Sequence, residues 1–273
     1  MAYLEINDLS LNFGGVRAVD ALSCSVERGE IFAIIGPNGA GKTSVFNLLS
    51  RVFDPAAGRI QFNGRDITRL PPHQVARLGI ARTFQNLRLF EHSTVLDNLM
   101  TGRYRHSRAR FWQQALFTPA MRAERHADRR RVEEVIRFLE IERYRDMVVQ
   151  SLAYGTKKVV ELGRALAIEP SLLLLDEPSS GLNPEERHDL AFWIRDIRDD
   201  LGITIVLVEH DMELVRAVSD RVLAMAMGRR IALGTPDQVR ADSAVQEAYL
   251  GAPTSATADA LNGPKVDCGP KVD

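Results

Sequence analysis

The stretch Gly36-Pro37-Asn38-Gly39-Ala40-Gly41-Lys42-Thr43 decides the fold of this chain. It fits G-x-x-x-x-G-K-S/T, in which glycines let consecutive backbone N–H groups close around phosphate oxygens at the positive end of the following helix. The flanks agree. An apolar run at 31–35 leads into the loop, and Val45, Leu48, Leu49 and Val52 keep the i, i+3, i+4, i+7 spacing of a buried helix face. At ordinary residue frequencies the pattern arises by chance in about one chain in a hundred of this length, so coincidence is a poor account of it. Lys42 is placed to reach the β- and γ-phosphates of a nucleotide, Thr43 to coordinate Mg²⁺, and Ser44 to complete the phosphate-facing set.

A second stretch, Leu172 to Leu175 followed by Asp176-Glu177-Pro178, supplies the rest. An apolar strand ends in a carboxylate, Asp176, that completes the metal's second anchor, and Glu177 beside it can polarise an attacking water. The two stretches together predict a site that binds and hydrolyses ATP with Mg²⁺.

Composition narrows the setting. At 273 residues and 45% hydrophobic, the chain can bury one good core, and one globular unit with a subdomain is expected. A net charge of −1 argues against a nucleic-acid partner. No apolar run approaches the ~18 residues that cross a bilayer, and no basic segment leads into an apolar one at the start, so a soluble protein that stays in the cytosol is expected. Cys24 and Cys268 stand at opposite ends with no CxxC and no clustered His, which reads as two ordinary thiols.

Outward from the loop, alternating runs at 4–6, 9–13 and 21–26 predict a small antiparallel sheet, and 59–62 a further strand. From 87 to 153 the pattern turns helical, with Val132, Val135, Ile136 and Leu139 on one face. Within it, residues 102–131 are rich in arginine and carry Phe111-Trp112 and Leu116-Phe117. Two readings stand for that insert: a solvated helical hairpin, or a surface for anionic head groups or a membrane partner. After Gly155 the pattern is α/β: helix 157–168, strand 172–175, helix 185–199, strand 203–208, a hairpin over 222–233 turning at Gly228, and a closing helix 237–250. Strands alternating with helices predict a parallel sheet covered on both faces. The tail, 252–273, is small and polar and repeats Gly-Pro-Lys-Val-Asp at 263–267 and 269–273; it reads as a disordered end or a docking element.

The remaining sites fall in an order that resembles the ATP-binding subunits of ABC transporters, over 4–251. The resemblance implies an α/β fold: a P-loop NTPase core with an antiparallel β subdomain (1–86 and 157–251) and an inserted α-helical subdomain (87–156). It makes Gln85 the glutamine that contacts metal and attacking water and reports the γ-phosphate to the helical subdomain. It makes His210 the switch histidine, bonded to the γ-phosphate and holding Glu177. Ser180-Gly181-Leu182-Asn183 matches the loop that crosses to the partner subunit, with Asn183 in place of the customary Asp. Phe13 matches the aromatic that stacks on adenine, and reads equally as a core strand residue.

The signature departs from the family. Where most members read Leu-Ser-Gly-Gly-Gln, this chain has Leu152-Ala153-Tyr154-Gly155-Thr156. The family signature closes over the γ-phosphate held by the partner's P-loop. Ala153 cannot donate a side-chain hydrogen bond, and such a bond to a charged group is worth about 1.5–3 kcal/mol, so closure of that one site is expected to weaken roughly 10- to 100-fold. This variant signature, the segment Arg82-Thr83-Phe84-Gln85-Asn86-Leu87-Arg88-Leu89-Phe90 and the ending Ala248-Tyr249-Leu250-Gly251 resemble one branch, an ATP-binding subunit of branched-chain amino acid importers. That resemblance implies a second ABC ATPase subunit (heterodimer or homodimer), two membrane permeases, an external substrate-binding protein, and a peripheral place on the cytoplasmic face of the membrane. Urea or amide importers, lipid or lipopolysaccharide exporters and soluble ABC ATPases share the phosphate-contacting residues and stand as alternatives.

Overall fold

The computed structural model describes residues 2–83, 87–105 and 119–250. Gln85, residues 106–118 of the arginine-rich insert, Cys268 and the repeated pentapeptide lie outside the described residues.

Two sheets organise the molecule. One is four-stranded and antiparallel, in the order β2-β1-β4-β5, built from β1 (Leu4–Phe13), β2 (Val16–Val26), β4 (Ala57–Phe62) and β5 (Arg65–Asp66). The other has six strands in the order β10-β9-β3-β8-β7-β6. These are β3 (Ile31–Ile35), β6 (Ile80–Arg82), β7 (Leu172–Asp176), β8 (Thr204–Val208), β9 (Arg221–Ala226) and β10 (Arg229–Gly234). Every pairing in it is parallel except β9 with β10, the hairpin that turns at Gly228. The α/β reading and its parallel sheet hold.

The strands of the six-stranded sheet are apolar on both faces because each face covers a different core. Ile31, Ala33 and Ile35 of β3, Leu173 and Leu175 of β7, and Ile205 and Leu207 of β8 enter one core. Their neighbours Phe32, Ile34, Leu172, Leu174, Val206 and Val208 enter the other, shared with α1 (Lys42–Leu49) and the antiparallel sheet. This period-two division is what a strand buried on both faces requires. The first core also takes Val95 and Leu99 of α3 (Val95–Thr101), and Val132, Ile136 and Leu139 along and just beyond α4 (Pro119–Phe138). It is completed by α5 (Tyr154–Leu166) and α6 (Pro184–Asp199).

Several boundaries differ from the pattern-based expectation. Helix α1 ends at Leu49 and Arg51 is left-handed, so Val52 is exposed and does not continue the buried face. The signature helix begins three residues early, at Tyr154. The closing helix is two, α8 (Pro236–Ala241) and α9 (Ser243–Leu250), after a short α7 (Met212–Val218). The break falls at Asp242, whose backbone is extended and whose carboxylate accepts from the N–H groups of Ala244 and Val245, starting α9 afresh. Three elements were not expected from the pattern: β5, a two-residue edge strand, α2 (Pro72–Arg77), a single turn and a half, and α7.

Candidate functional site

Strand order assembles the site. β8 lies between β3 and β7, so the C-terminal ends of three adjacent strands open together: β3 into 36–43, β8 into Glu209-His210, β7 into Glu177. β6, on the far side of β7, ends at Arg82, three residues before Gln85 in the sequence. Ligands of open α/β sheets bind at such carboxyl ends.

In the loop itself, Gly36 has φ +152, and a Cβ there would stand 2.2 Å from the carbonyl oxygen of Met225 in β9, so the close approach of those two strand ends needs glycine. The Gly228 N–H of the β9–β10 turn donates to Ala40 O at 3.0 Å and holds the loop from outside, while Ala40 N–H closes onto Pro37 O. Asn38 and Gly39 are exposed at the tip, and Thr43 is exposed at the start of α1 with Ser44 half-buried beside it. Lys42 is buried, and its Nζ donates to Gly36 O (2.7 Å) and Pro37 O (3.0 Å), lying inside the curl of the loop. Burial holds its ammonium below the ordinary lysine range, and the carboxylates of Glu177 and Asp176 oppose that fall.

Asp176 is 2% exposed. Its Oδ2 accepts from Arg82 Nη2 at 2.7 Å, and its Oδ1 is buried without a protein partner. Such an oxygen suits a metal or a metal-bound water. Among the described residues no three His, Cys, Asp or Glu side chains cluster to hold a metal alone; the donors available to Mg²⁺ here would be one carboxylate and a hydroxyl, joined by phosphate oxygens, a set that ion commonly takes. The residues present fit Mg²⁺ bound together with a nucleotide.

Glu177 is half-buried in a left-handed turn (φ +47), its N–H donating to Val208 O of β8 at 2.9 Å. The His210 side chain is 58% exposed, with Nδ1 4.0 Å from Glu209 Oε2. Phe13 closes β1 with its ring nearly half exposed, edge-on to Phe53 at 5.2 Å, so it is no core strand residue.

The signature lies at the N-terminus of α5. Leu152 is buried, Ala153 is the N-cap residue and gives no side-chain bond, and Tyr154 is 46% exposed. The Tyr154 ring stands against Gly181, and buried Gly155 against the Glu186 carboxylate. Gly155 and Thr156 share a cavity of about 410 Å³ with Asp176, Pro178, Leu182 and Trp193. Asn183, where Asp is customary, caps α6: its side chain accepts from Glu186 N–H and the Glu186 carboxylate accepts from Asn183 N–H, both at 2.9 Å. Asn serves that cap as well as Asp.

A description of the family named "ABC transporter" matches residues 19–180, and a second, "Branched-chain amino acid ATP-binding cassette transporter", matches 229–253. The chain belongs to the ABC transporter ATP-binding family. It is similar to the high-affinity branched-chain amino acid transport ATP-binding protein BraF of Pseudomonas aeruginosa, 39% identical over 251 residues covering 91% of this chain and 97% of that one. It is likewise similar to LivG of Salmonella typhimurium, 38% identical over 248 residues, at 91% and 97%. The fold matches a nucleotide-free ATP-binding cassette from an ABC transporter with a TM-score of 0.80 and 30% identity, covering 91% of this chain and 99% of that one.

Two parts of this ABC ATPase's site escape a reading of the sequence. Glu209 is fully buried, and its carboxylate accepts from the N–H groups of Ser179 (2.8 Å), His210 (3.1 Å) and Asp211 (3.4 Å). It ties the end of β8 to the turn after Glu177, and the only signal for it is an acidic residue closing an apolar strand. Tyr249 of α9 lies on the phosphate loop: burial raises its phenol above the ordinary range, and a hydrogen bond from the Gly36 backbone opposes the rise. It falls within the segment matched to the branched-chain amino acid cassettes.

Proposed function

We propose that this chain is the ATP-hydrolysing subunit of an importer of branched-chain amino acids, working at the cytoplasmic face of the membrane beside separate permeases. What carries the reading is near full-length similarity to BraF and LivG, whose names give that transport, over 97% of each. Among the described residues no helix is long and apolar enough to cross a membrane, and in this reading the path for the cargo belongs to other subunits. Exposed Phe90, Met147 and Val148 supply an apolar surface for them, on backbone segments joined by the bridge between Thr94 and Val148 and the bond from Gln150 N–H to Glu91 O.

In this reading the amides of 36–43 and Lys42 hold the phosphates of ATP, Thr43, Asp176 and Gln85 hold Mg²⁺, and Phe13 meets the adenine. When bound, Mg²⁺ would supply charge neutralisation at the phosphate oxygens. Glu177 takes the attacking water, and His210, aimed by Glu209, keeps it in line. A second ATPase subunit brings its signature over this site, while residues 152–155 of this chain cover the partner's; ATP favours the closed pair and hydrolysis removes that preference. Residues 87–156, inserted between the two halves of the core, pass the closure to the permeases, and an external binding protein delivers the cargo.

The test is reconstitution with both permeases, the second ATPase and the binding protein in liposomes. Leucine uptake that requires ATP and falls with Glu177→Gln supports the reading. Full ATP turnover with no uptake of any branched-chain amino acid overturns the cargo and keeps the ATPase.

A further inference from the structure

One guanidinium ties together three elements of the site. Arg82, 8% exposed in its side chain, sits on β6, the strand that leads toward Gln85. Its Nη2 donates to Asp176 Oδ2 at 2.7 Å. Its Nη1 donates to Asn47 Oδ1 at 2.8 Å and to Ser50 Oγ at 2.9 Å, on and at the end of the helix that follows the phosphate loop. Its Cζ lies over the Phe46 ring, 5.6 Å from the ring centre. The planar fork fixes two directions at once, and a point-charge ammonium cannot.

The carboxylate at the other end has two different oxygens. Oδ2 is taken by Arg82, and Oδ1 is buried with no protein partner. Lys42 and Lys158 also lie within electrostatic reach of Asp176 and are alternative cations for it to turn toward. We propose that Arg82 is a positioning residue for the metal-binding carboxylate: it engages Oδ2, anchors itself on Asn47 and Ser50, and so reserves Oδ1 for Mg²⁺. This rests on the reading of Asp176 as the metal carboxylate.

Mn²⁺ serves as the probe, titrated by electron paramagnetic resonance into the full chain with a non-hydrolysable ATP analogue, alongside analogue binding in EDTA and the thermal midpoint. Arg82→Gln is expected to weaken Mn²⁺ binding about tenfold or more while metal-free analogue affinity stays within about twofold, since of the bonds lost the one to Asp176 is at the metal's ligand and those to Asn47 and Ser50 are on the helix beyond the phosphate loop. Arg82→Lys keeps the buried charge and the fold, and still weakens Mn²⁺ several-fold for want of the fork; it decides the matter if the glutamine variant fails to fold. Unchanged or tighter Mn²⁺ binding, or an equal loss of metal-free affinity, overturns the inference. Asp176→Asn separates the two layers. Mn²⁺ binding that survives it removes the metal reading of Asp176, whereas binding lost there but intact in the Arg82 variants removes only the role of Arg82.

Discussion

Around the phosphate loop three charged side chains are buried and bonded inside the chain: Lys42 to Gly36 and Pro37, Asp176 to Arg82, Glu209 to three backbone N–H groups. At the signature the arrangement is reversed. Ala153 starts α5 with no side-chain cap, and Tyr154 turns much of its ring to solvent. The phosphate loop region is preorganised by its own chain, whereas the signature region is, in the proposed function, a surface finished by a second subunit. A change in the first should alter this chain's own chemistry, and a change in the second the partner's site.

The largest effect tests the first half of that contrast. Glu177→Gln should lower ATP turnover at this chain's site roughly 100-fold or more, with ATP binding retained, as general-base contributions of 10²–10⁴ imply. Single-turnover assays of the assembled complex measure it, and an unaltered rate would remove Glu177 from the chemistry.

Next is the clamp. Glu209→Ala leaves three backbone donors without their acceptor, so chemical denaturation should show a loss of about 2–3 kcal/mol, with Glu209→Gln recovering part of it. Equal stability of the alanine variant would mean that the turn holding His210 is set elsewhere.

Ala153→Ser sharpens the contrast most directly. Serine at this N-cap should stabilise α5 by about 1 kcal/mol, raising the thermal midpoint by roughly 2–4 °C. It should also tighten ATP-dependent pairing at the partner's site by about tenfold, leaving turnover at this chain's own site unchanged. A rise in midpoint without tighter pairing would make the signature serine a cap only.

The smallest effect lies after His210. Asp211 caps α7, and although burial pulls its carboxyl upward, the Arg187 guanidinium and the N–H groups of Leu214 and Glu213 outweigh it and hold the value below 3.8. A lowered folded value means that the stabilisation is complete above pH 3.8 and is lost as pH falls below it through the folded value. Asp211→Ala should cost about 1 kcal/mol at neutral pH and flatten that acid limb. Acid titrations of the two proteins that run parallel would contradict the cap.

Much of this was legible because it is local. The glycine spacing of 36–43, the four leucines before Asp176 and the two-faced apolar strands follow from residues within a few positions of one another. So did the turn at Gly228, where the hairpin appeared as expected. The boundary errors at Val52 and Asp242 came from places where an apolar or helical pattern runs past the residue whose backbone stops it, and the one at Tyr154 from a helix start whose N-cap, Ala153, has no capping side chain to mark it. Similarity to BraF and LivG agrees with the branch suggested by the variant signature and the ending at 248–251.

By itself the sequence determined that there is a phosphate loop, a carboxylate at the end of a buried strand, and a parallel sheet to carry both, because backbone conformation and burial periodicity are short-range properties. Only the tertiary structure decided that β8 runs between β3 and β7, which brings the end of β8 between the phosphate loop and Glu177. It alone decided that Arg82 meets Asp176, that Glu209 is a buried clamp rather than a surface acid, and that Tyr154 rests on Gly181. Each of these is a contact between residues distant in the chain, chosen by strand order and by the need to pair a buried charge, and neither leaves a period or a spacing to read.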